Sequence, residues 1–415
     1  MPPIAPDRRP VLLLAALTVL GWMACAVWPR VLSKLGITDY GQWFLDSYAV
    51  LASNDAVRAG LSPDADNPLD PLLRSHKYSD WWLGLRWLGL TRAENFFVGL
   101  AWVGAFAVTA WQTLKPRNFR ETALAAALLL SPPVLLGVNR ANNDLVIFVL
   151  LALAGVAAAG TTWMRQALAW GALALATALK FYPVTAAAGF FLVRPVRRMP
   201  LALLGALLAA GLALTSVWPQ MGRGVFPIAT GLHTLGAALL WRDLGWSDEA
   251  ARYGGLLVLA VGAAVLVRCR CTTGLATRGA LKERLSAALG VIVLLACFLA
   301  GVSFVYRWIF ALWMALWLWR RAGEPTEDGR AHRAFRVGAG LMLFCFWGNG
   351  ILCLVVNLLL LPMAQARLDA LVIAWRWGTQ SLHWVLMIML AGWLLEAAIA
   401  TGTEWREATR TRPST

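Results

Sequence analysis

The sequence has few charged residues for its length. They make up 14% of the 415 residues, whereas hydrophobic residues make up 59%. Soluble domains carry about 25% charged residues. Apolar runs of about 20 residues, long enough to cross a bilayer, recur from end to end. The chain is therefore predicted to be an all-α polytopic membrane protein, with residues 1–415 forming a single multi-pass domain.

Residues that bind metals or form disulfides are also scarce. The four histidines are scattered and have no metal-ligand spacing. Of the six cysteines, four lie within apolar runs, and Cys269 and Cys271 lie in a basic loop. No disulfide framework is expected from this distribution. No cofactor is firmly predicted, and a divalent metal is an alternative that no pattern supports.

Several well-known catalytic motifs do not occur. The sequence has no Gly-rich phosphate loop, no His-Glu-x-x-His, no Gly-x-Ser-x-Gly and no Cys-x-x-Cys pair. ATP-driven transport and hydrolase chemistry therefore lack support. The net charge of +15 does not indicate nucleic acid as a partner, because the inner loops of membrane proteins are themselves enriched in Lys and Arg.

The apolar runs predict a helical bundle of about 10–12 transmembrane segments. Basic residues concentrate in alternate loops, which predicts that both termini face the cytoplasm and that the protein lies in the bacterial cytoplasmic membrane. Arg8-Arg9 and the apolar run after them are interpreted as a retained signal anchor. The predicted spans lie near 11–29, 95–114, 121–138, 145–160, 200–218, 253–268, 286–305, 308–320, 337–361 and 383–400.

Two regions depart from this regular pattern. Residues 167–193 form two apolar stretches too short to span, separated by Lys180-Phe181-Tyr182-Pro183. Because proline disrupts a helix, a broken or re-entrant helix pair is predicted there. The second region, residues 30–94, is a long outer loop in which 46–59 and 81–88 are candidates for interfacial helices. Since loops of this length are usually functional, function is expected on the periplasmic face.

Two acids near the start of this loop are candidates for a general base. Asp39 and Asp46 are seven residues apart, so on a continuous helix they would share a face. A carboxylate there can take a proton from an attacking hydroxyl. The alternative is that both acids are merely solvated. Asp39 is preferred as the base because it lies closer to the first span, and Asp46 is its rival.

Three cations at predicted membrane boundaries suit a phosphate. Arg140 lies in the polar stretch Asn139–Asp144, Lys180 at the helix break, and Arg307 between two apolar runs. Alternatively, the stretch is a plain turn with a helix cap, and the other two cations extend to the interface. Further residues are accessory candidates at the same boundaries: Tyr40, Asp46, His76, Lys77, Asp80, Asn142, Asp144, Tyr182 and Tyr306.

Taken in order, these elements resemble the GT-C superfamily of integral-membrane glycosyltransferases, and within it bacterial glycosyltransferase family 87, which is mannosyltransferase-like. The resemblance covers roughly residues 1–310, and residues 337–415, the C-terminal spans, add little to it. It is carried by Asp39, Tyr40, Tyr48, Gly60 and Pro63 in the first loop, Arg140, Asn142 and Asp144 at one boundary, Lys180 to Pro183 at the break, and Tyr306, Arg307 and Trp308 later.

The resemblance implies transfer of a sugar from a polyprenyl-phosphate-linked donor to a lipid, polysaccharide or protein on the outer face, with inversion. It implies that Asp39 is the base and that Arg140, Lys180 and Arg307 bind the donor phosphate. Two features depart from the family pattern: the first loop is longer, with Tyr78 to Trp82 inserted, and it contains Asp46 as a second acid. There is also no clear second acidic pair of the kind that would imply a metal.

Two other functions remain as alternatives. The broken helix also suits a transporter or lipid flippase, because discontinuous helices build midplane sites in transporters. A polymerase or ligase of surface polysaccharide would share the outer-face, lipid-linked chemistry but use a diphosphate-linked oligosaccharide. Membrane lipid is a partner in every case.

Overall fold

The computed structural model describes residues 7–38, 41–193, 199–222, 234–272, 278–300, 303–324, 329–359 and 365–410. Asp39 and Tyr40 lie outside the described residues. Within them the chain is mostly helical, as predicted. Its first eight α-helices are α1 (Arg9–Val27), α2 (Arg30–Lys34), α3 (Leu45–Arg58), α4 (Asn95–Leu114), α5 (Phe119–Leu129), α6 (Pro132–Asn139), α7 (Asp144–Ala158) and α8 (Trp163–Leu179).

The second half of the described chain is built in the same way. Its α-helices are α9 (Ala187–Leu192), α10 (Met199–Gly222), α11 (Ala238–Asp243), α12 (Asp248–Arg268), α13 (Leu281–Leu299), α14 (Leu312–Ala322), α15 (Gly329–Leu359) and α16 (Gln365–Arg410). Shorter 3-10 helices span Asp80–Leu88, Arg92–Glu94, Tyr182–Ala186 and Val305–Ala311. Two short strands, β1 (Thr234–Leu235) and β2 (Ser303–Phe304), pair antiparallel.

Six described helices are long and apolar enough to cross a membrane, which suits a multi-pass membrane protein. They lie in α1, in α4 together with the 3-10 helix Arg92–Glu94, and in α10, α12, α15 and α16. A seventh span results if α5 and α6 are counted as one, since they meet at a bend of 55°. The bend falls just before Pro132 and Pro133, and Pro132 opens the new helix, where proline is tolerated.

The helices run between two ends of the molecule, each marked by contacts between distant segments. At one end, which we call the loop end, the first loop (residues 30–94) covers the helix termini: the Phe44 amide donates to the Asn139 carbonyl (2.8 Å), and Ser79 Oγ donates to the Ala178 carbonyl (2.6 Å). At the opposite end, which we call the far end, Arg320 pairs with both Glu121 (2.8 Å) and Glu283 (3.0 Å).

The first loop is packed into the protein rather than lying over it. Ten of the fourteen residues of α3 are buried. The helix begins after Phe44, whose φ of 62° is left-handed, and the Phe44 ring occupies space that a side chain at Gly99 would fill, since a Cβ there would lie 2.4 Å from the ring. The second predicted helix is a 3-10 helix, Asp80–Leu88, and its Trp82 donates to the Leu179 carbonyl (3.1 Å).

The helix that carries Asp46, α3, begins only at Leu45. One sequence expectation is corrected by the described helices. The gap between the predicted spans 337–361 and 383–400 implies an outer loop, but this segment is largely helical, because α16 extends from Gln365 to Arg410. Its polar residues suggested a loop, but Arg376 is accommodated by an ion pair with Asp243 (2.7 Å).

Candidate functional site

The turn between α6 and α7 brings polar side chains to the loop end. Ala141 has a φ of 41°, a left-handed conformation that is unusual for alanine. It follows the end of α6 and lets the Asn142 amide bond back to the Gly137 carbonyl (2.9 Å). Residues 140–143 thus connect the two helices. Arg140 directly follows α6, and Asp144 is the first residue of α7.

Asp46 is the first of two buried carboxylates at this turn, with only 2% of its surface exposed. Arg140 binds it with two nitrogens: Nε lies 2.9 Å from Oδ2 and Nη2 lies 2.6 Å from Oδ1. The Asn142 amide donates to Oδ2 (2.6 Å). Bidentate guanidinium–carboxylate pairs are among the strongest charge-assisted hydrogen bonds, so Asp46 is held in a fixed position.

A second arginine, Arg74, approaches Asp46 from within the first loop. Its Nη1 lies 3.3 Å from Asp46 Oδ1, and its Nη2 donates to the Leu45 carbonyl (2.8 Å). The same guanidinium binds Asp70 through Nε and Nη2 (3.0 and 2.8 Å). Arg74 therefore joins the turn-rich part of the loop to the start of α3.

Asp144 is the second buried carboxylate, and none of its surface is exposed. Both Lys180 Nζ and the Tyr182 hydroxyl donate to its Oδ1. Arg307 Nε lies 3.8 Å from Oδ2, which is an ion pair but too long for a hydrogen bond. The helix break after α8 thus places Lys180 and Tyr182 beside the first residue of α7.

Several groups join the two carboxylates into one site. The Asn142 side chain accepts from the Asp144 amide (2.9 Å) while donating to Asp46. Tyr306, 92% buried, lies within electrostatic range of both carboxylates. Lys180 Nζ lies 6.0 Å from the centre of the Tyr78 ring, which comes from the first loop. Segments far apart in sequence therefore contribute to a single cluster.

The charges around Asp46 decide its protonation state. Burial is the largest single influence and raises the pKa of Asp46, but the charge and hydrogen bonds of Arg140, the bond from Asn142 and the charge of Arg74 together outweigh it, so the pKa lies below its usual value. Burial, followed by the charge of Asp46, raises the pKa of Tyr78 well above its usual value. Asp46 is therefore ionised and weakly basic at neutral pH, and Tyr78 carries its proton.

Within the described part of the chain, the Asp144 half of the cluster has buried polar atoms with no hydrogen-bond partner. These are Asp144 Oδ2, Arg307 Nε and both atoms of the Asn143 amide. Such atoms are costly to leave unsatisfied in a folded protein. They mark the part of the cluster that still has hydrogen-bonding capacity for a ligand or for water.

The described structure brings most of the predicted site residues together. Arg140, Lys180 and Arg307, from three separate boundaries, share one cluster. The accessory candidates found in that cluster are Asp46, Asn142, Asp144, Tyr182 and Tyr306. The proposed base, Asp39, and its neighbour Tyr40 lie outside the described residues, so their placement stays a prediction.

The remaining candidates lie in the first loop beside the cluster. His76 is buried, with Nε2 3.2 Å from the Ser79 carbonyl oxygen and 4.0 Å from Asp80 Oδ1. The His76 ring is 6.0 Å from that of Tyr78. Lys77, between them in sequence, is partly buried. His76 thus adjoins the cluster through Tyr78.

Sequence reasoning missed Arg74, Asp70 and Tyr78. Asp70 and Arg74 have the spacing of an ion pair on a helix, but they lie among prolines that rule out a regular helix, so this spacing was uninformative. Tyr78 was noted only as part of an insertion. The insertion itself was the available signal, since it supplies one of the rings that line the cluster.

Comparison with known proteins identifies no family: no family model, no curated protein and no solved structure matches this chain. Among the described residues, no group of three or more His, Cys, Asp or Glu side chains is arranged to hold a metal ion. The chemistry of the site therefore has to be inferred from its own residues.

Proposed function

We propose that this protein is a membrane glycosyltransferase. It would move a sugar from a polyprenyl-phosphate-linked donor to a lipid, polysaccharide or protein on the outer face of the cytoplasmic membrane. In this proposal the helices form a GT-C-like bundle of about 10–12 transmembrane segments, including shorter ones that do not span by length alone. The first loop and the turns beside it face the periplasm.

The observation that carries the proposal is the convergence of four cations at the loop end. Arg74, Arg140, Lys180 and Arg307 surround Asp46 and Asp144, with Asp70 bound to Arg74. Four cations against three carboxylates leave one positive charge in excess among these described side chains. A partly buried, cationic cluster on apolar helices suits a phosphate group that is attached to a long apolar chain.

The four cations are not equally available. Arg140 and Arg74 are committed to Asp46, whereas Arg307 Nε has no hydrogen-bond partner among the residues that the structure describes. We therefore assign the first contact with the donor phosphate to Arg307 and the second to Lys180, which would exchange Asp144 for the phosphate. These cations would stabilise the charge that grows on the phosphate as it leaves.

The reaction needs a base for the acceptor hydroxyl. Asp46 is poorly suited because Arg140 holds its pKa below the usual range, so Asp39 remains the assigned base. Asp39 would take the proton as the acceptor oxygen attacks the anomeric carbon. A new bond forms from that oxygen to the anomeric carbon, the bond from the anomeric carbon to the phosphate oxygen breaks, and polyprenyl phosphate departs with the electron pair.

The decisive experiment uses the full-length protein in liposomes with a set of polyprenyl-monophosphate sugars and a membrane extract that supplies acceptors. Release of polyprenyl phosphate and transfer of labelled sugar are measured together. Asp39→Asn is expected to lower turnover by about 10²–10⁴-fold, the usual contribution of a general base. The matched control is Asp66→Asn, an exposed acid of the same loop, which should leave turnover unchanged.

Other results of this experiment would change the assigned base or the proposed function. Wild-type turnover by Asp39→Asn would remove the base assignment from Asp39. Failure of the wild-type protein to cleave any monophosphate-linked sugar would overturn the proposal, and cleavage restricted to diphosphate-linked oligosaccharides would favour a polymerase or ligase. Uptake of a solute without covalent change would favour a transporter, for which the buried Asp144–Lys180 pair at a broken helix is the supporting feature.

A further inference from the structure

The carbonyl end of α8 lies directly before Lys180, one of the two cations assigned to the donor phosphate. The last carbonyls of an α-helix have no partner within the helix. Those of Ala178 and Leu179 accept hydrogen bonds from the first loop instead. Ser79 Oγ donates to the Ala178 carbonyl (2.6 Å), and Trp82 Nε1 donates to the Leu179 carbonyl (3.1 Å). The first loop therefore caps the helix end that leads into Lys180.

Both donors are held in place by the rest of the first loop and by α4. Ser79 is 1% exposed and Trp82 is 4% exposed. The Asn54 side chain of α3 donates to the Trp82 carbonyl (3.1 Å), and His76 Nε2 lies 3.2 Å from the Ser79 carbonyl oxygen. The Trp82 ring packs against the ring of Trp102 in α4, with 5.0 Å between the centroids. The cap on α8 thus belongs to the packed part of the loop.

A lysine that directly follows a helix has two kinds of partner to choose from. Lysine side chains near a helix C-terminus hydrogen-bond to the last carbonyls and are attracted by the negative end of the helix dipole. Lys180 instead donates to Asp144 Oδ1, and its Nζ lies 6.0 Å from the centre of the Tyr78 ring. Ser79 and Trp82 already occupy two of the carbonyls, which leaves Asp144 as the better partner for the ammonium group.

We propose that Ser79 and Trp82 are positioning residues for Lys180. By occupying the end of α8, they keep the ammonium group on Asp144, from which the donor phosphate then takes it. This role rests on the proposed function, since Lys180 is assigned to the phosphate there. Both residues lie in the segment from Tyr78 to Trp82, the inserted part of the first loop, so the insertion supplies the cap.

The first test measures equilibrium binding of radiolabelled polyprenyl phosphate to the full-length protein in detergent. Ser79→Ala and Trp82→Phe each remove one of the two donors, so Lys180 can turn to the freed carbonyl. Affinity should fall by roughly 3–10-fold in each variant, which corresponds to the net contribution of one hydrogen bond. In a Lys180→Met background the same two substitutions should change affinity by less than about 2-fold, because no ammonium group remains to be misdirected.

Two matched controls remove bonds of the same kind elsewhere. Trp22 Nε1 donates to the carbonyl of Leu129, the last residue of α5, also at 3.1 Å, and this helix end is followed by Leu130 rather than by a lysine. Ser53 Oγ donates to the Ala49 carbonyl within α3 (2.8 Å). Trp22→Phe and Ser53→Ala should leave affinity within about 2-fold of wild type. A fall as large as that in Ser79→Ala would reveal a general effect of packing and contradict the positioning role.

A second measurement does not involve the phosphate. If Lys180 turns to the end of α8 in Ser79→Ala, it no longer pairs with Asp144. The loss in unfolding free energy caused by Asp144→Asn should then be smaller in the Ser79→Ala background than in wild type, whereas residues that act independently would give equal losses. Unfolding is followed in mixed micelles with increasing SDS.

The two measurements separate the positioning role from the proposed function. Wild-type affinity in Ser79→Ala and Trp82→Phe, or an equal fall in the Lys180→Met background, would overturn the positioning role and leave the donor site intact. Equal losses from Asp144→Asn in both backgrounds would overturn it as well. If the wild-type protein binds no polyprenyl phosphate, the donor site proposed above is wrong, and the stability measurement alone decides whether Ser79 controls the partner of Lys180.

Discussion

Asp46 and Asp144 are both buried carboxylates at the loop end, but their surroundings differ. Both oxygens of Asp46 accept hydrogen bonds, from Arg140, Asn142 and Arg74. From the described residues, Asp144 accepts hydrogen bonds on Oδ1 but not on Oδ2. The segments they join also differ, because Asp46 belongs to the first loop whereas Asp144 and its partners belong to the helical body.

This difference indicates a structural role for one aspartate and a functional role for the other. A carboxylate whose oxygens are all bound has no capacity left for substrate, and it fixes the elements that bind it. A carboxylate with one oxygen that accepts no hydrogen bond from the described residues, beside an arginine whose Nε donates none to them, can exchange partners when an anion arrives. We therefore expect Asp46 to contribute mainly to stability and Asp144 mainly to ligand binding.

Removal of Asp46 should give the largest change in stability. Asp46→Ala leaves Arg140 and Arg74 without their buried partner, and removing one member of a buried pair typically costs about 3–5 kcal/mol. The free energy of unfolding, measured in mixed micelles with increasing SDS, should fall by that amount. Asp66→Ala, at an exposed position of the same loop, should change it by no more than about 0.5 kcal/mol. A similar, small change in both variants would show that Asp46 is not a structural anchor.

Asp144→Asn should have a smaller effect on stability. The amide oxygen of asparagine still accepts from the Tyr182 hydroxyl. The substitution removes a negative charge that accepts hydrogen bonds from the described residues on only one of its two oxygens. We therefore expect the free energy of unfolding to fall by about 1–3 kcal/mol in the same assay. Asp46→Asn, which is equally isosteric, is the comparison and should cost more, because three donors lose a charged acceptor. If Asp144→Asn proved the more costly of the two, the contrast between the carboxylates would be wrong.

Acidification should give the smallest effect, since protonation removes the charge of Asp46 but keeps its atoms. The pKa of Asp46 is lowered in the folded protein, so its contribution to stability is fully present above the unfolded value of about 3.9 and is lost as pH falls through the lower folded value. The unfolding free energy of wild type minus that of Asp46→Asn should therefore be constant from neutral pH to about pH 5 and should shrink below about pH 4. A difference that shrinks between pH 5 and 7 would contradict the lowered pKa.

Much of the helical fold could be predicted from the sequence, because apolar runs and prolines act locally. The break at Lys180 follows from Pro183, and the turn at Asn139–Asp144 follows from its amides. The start of α3 could not be predicted, because it depends on the left-handed φ of Phe44, which is stabilised by contact with Gly99 of another helix. The same limit explains α16, in which Arg367, Asp369 and Arg376 interrupt an apolar stretch, since Arg376 is accommodated by Asp243 of a distant segment.

The site could be predicted only as a set of residues, without their pairing. The sequence indicated Arg140, Lys180 and Arg307 as cations for a phosphate, and they do lie together. It did not indicate that Arg140 is committed to Asp46, 94 residues away, because any of the nearby acids offered the same charge. Nor did it identify Arg74, whose contacts depend on the path of a proline-rich segment. Charge complementarity identifies candidate partners for each cation, but only the three-dimensional fold determines which of them pair.

The bond from the Asp46 amide to the Arg140 carbonyl (2.8 Å) has a consequence for biosynthesis. Asp46 leaves the ribosome long before Arg140, and at 5–20 residues per second the interval for 94 residues is roughly 5–20 s. During this time the first loop lacks the helix terminus that it will later cover, and the carboxylate of Asp46 has no arginine from α6 to bind. The loop therefore docks only after three further α-helices, α4, α5 and α6, have been made. Segments that are made later thus complete the part of the molecule that is synthesised first.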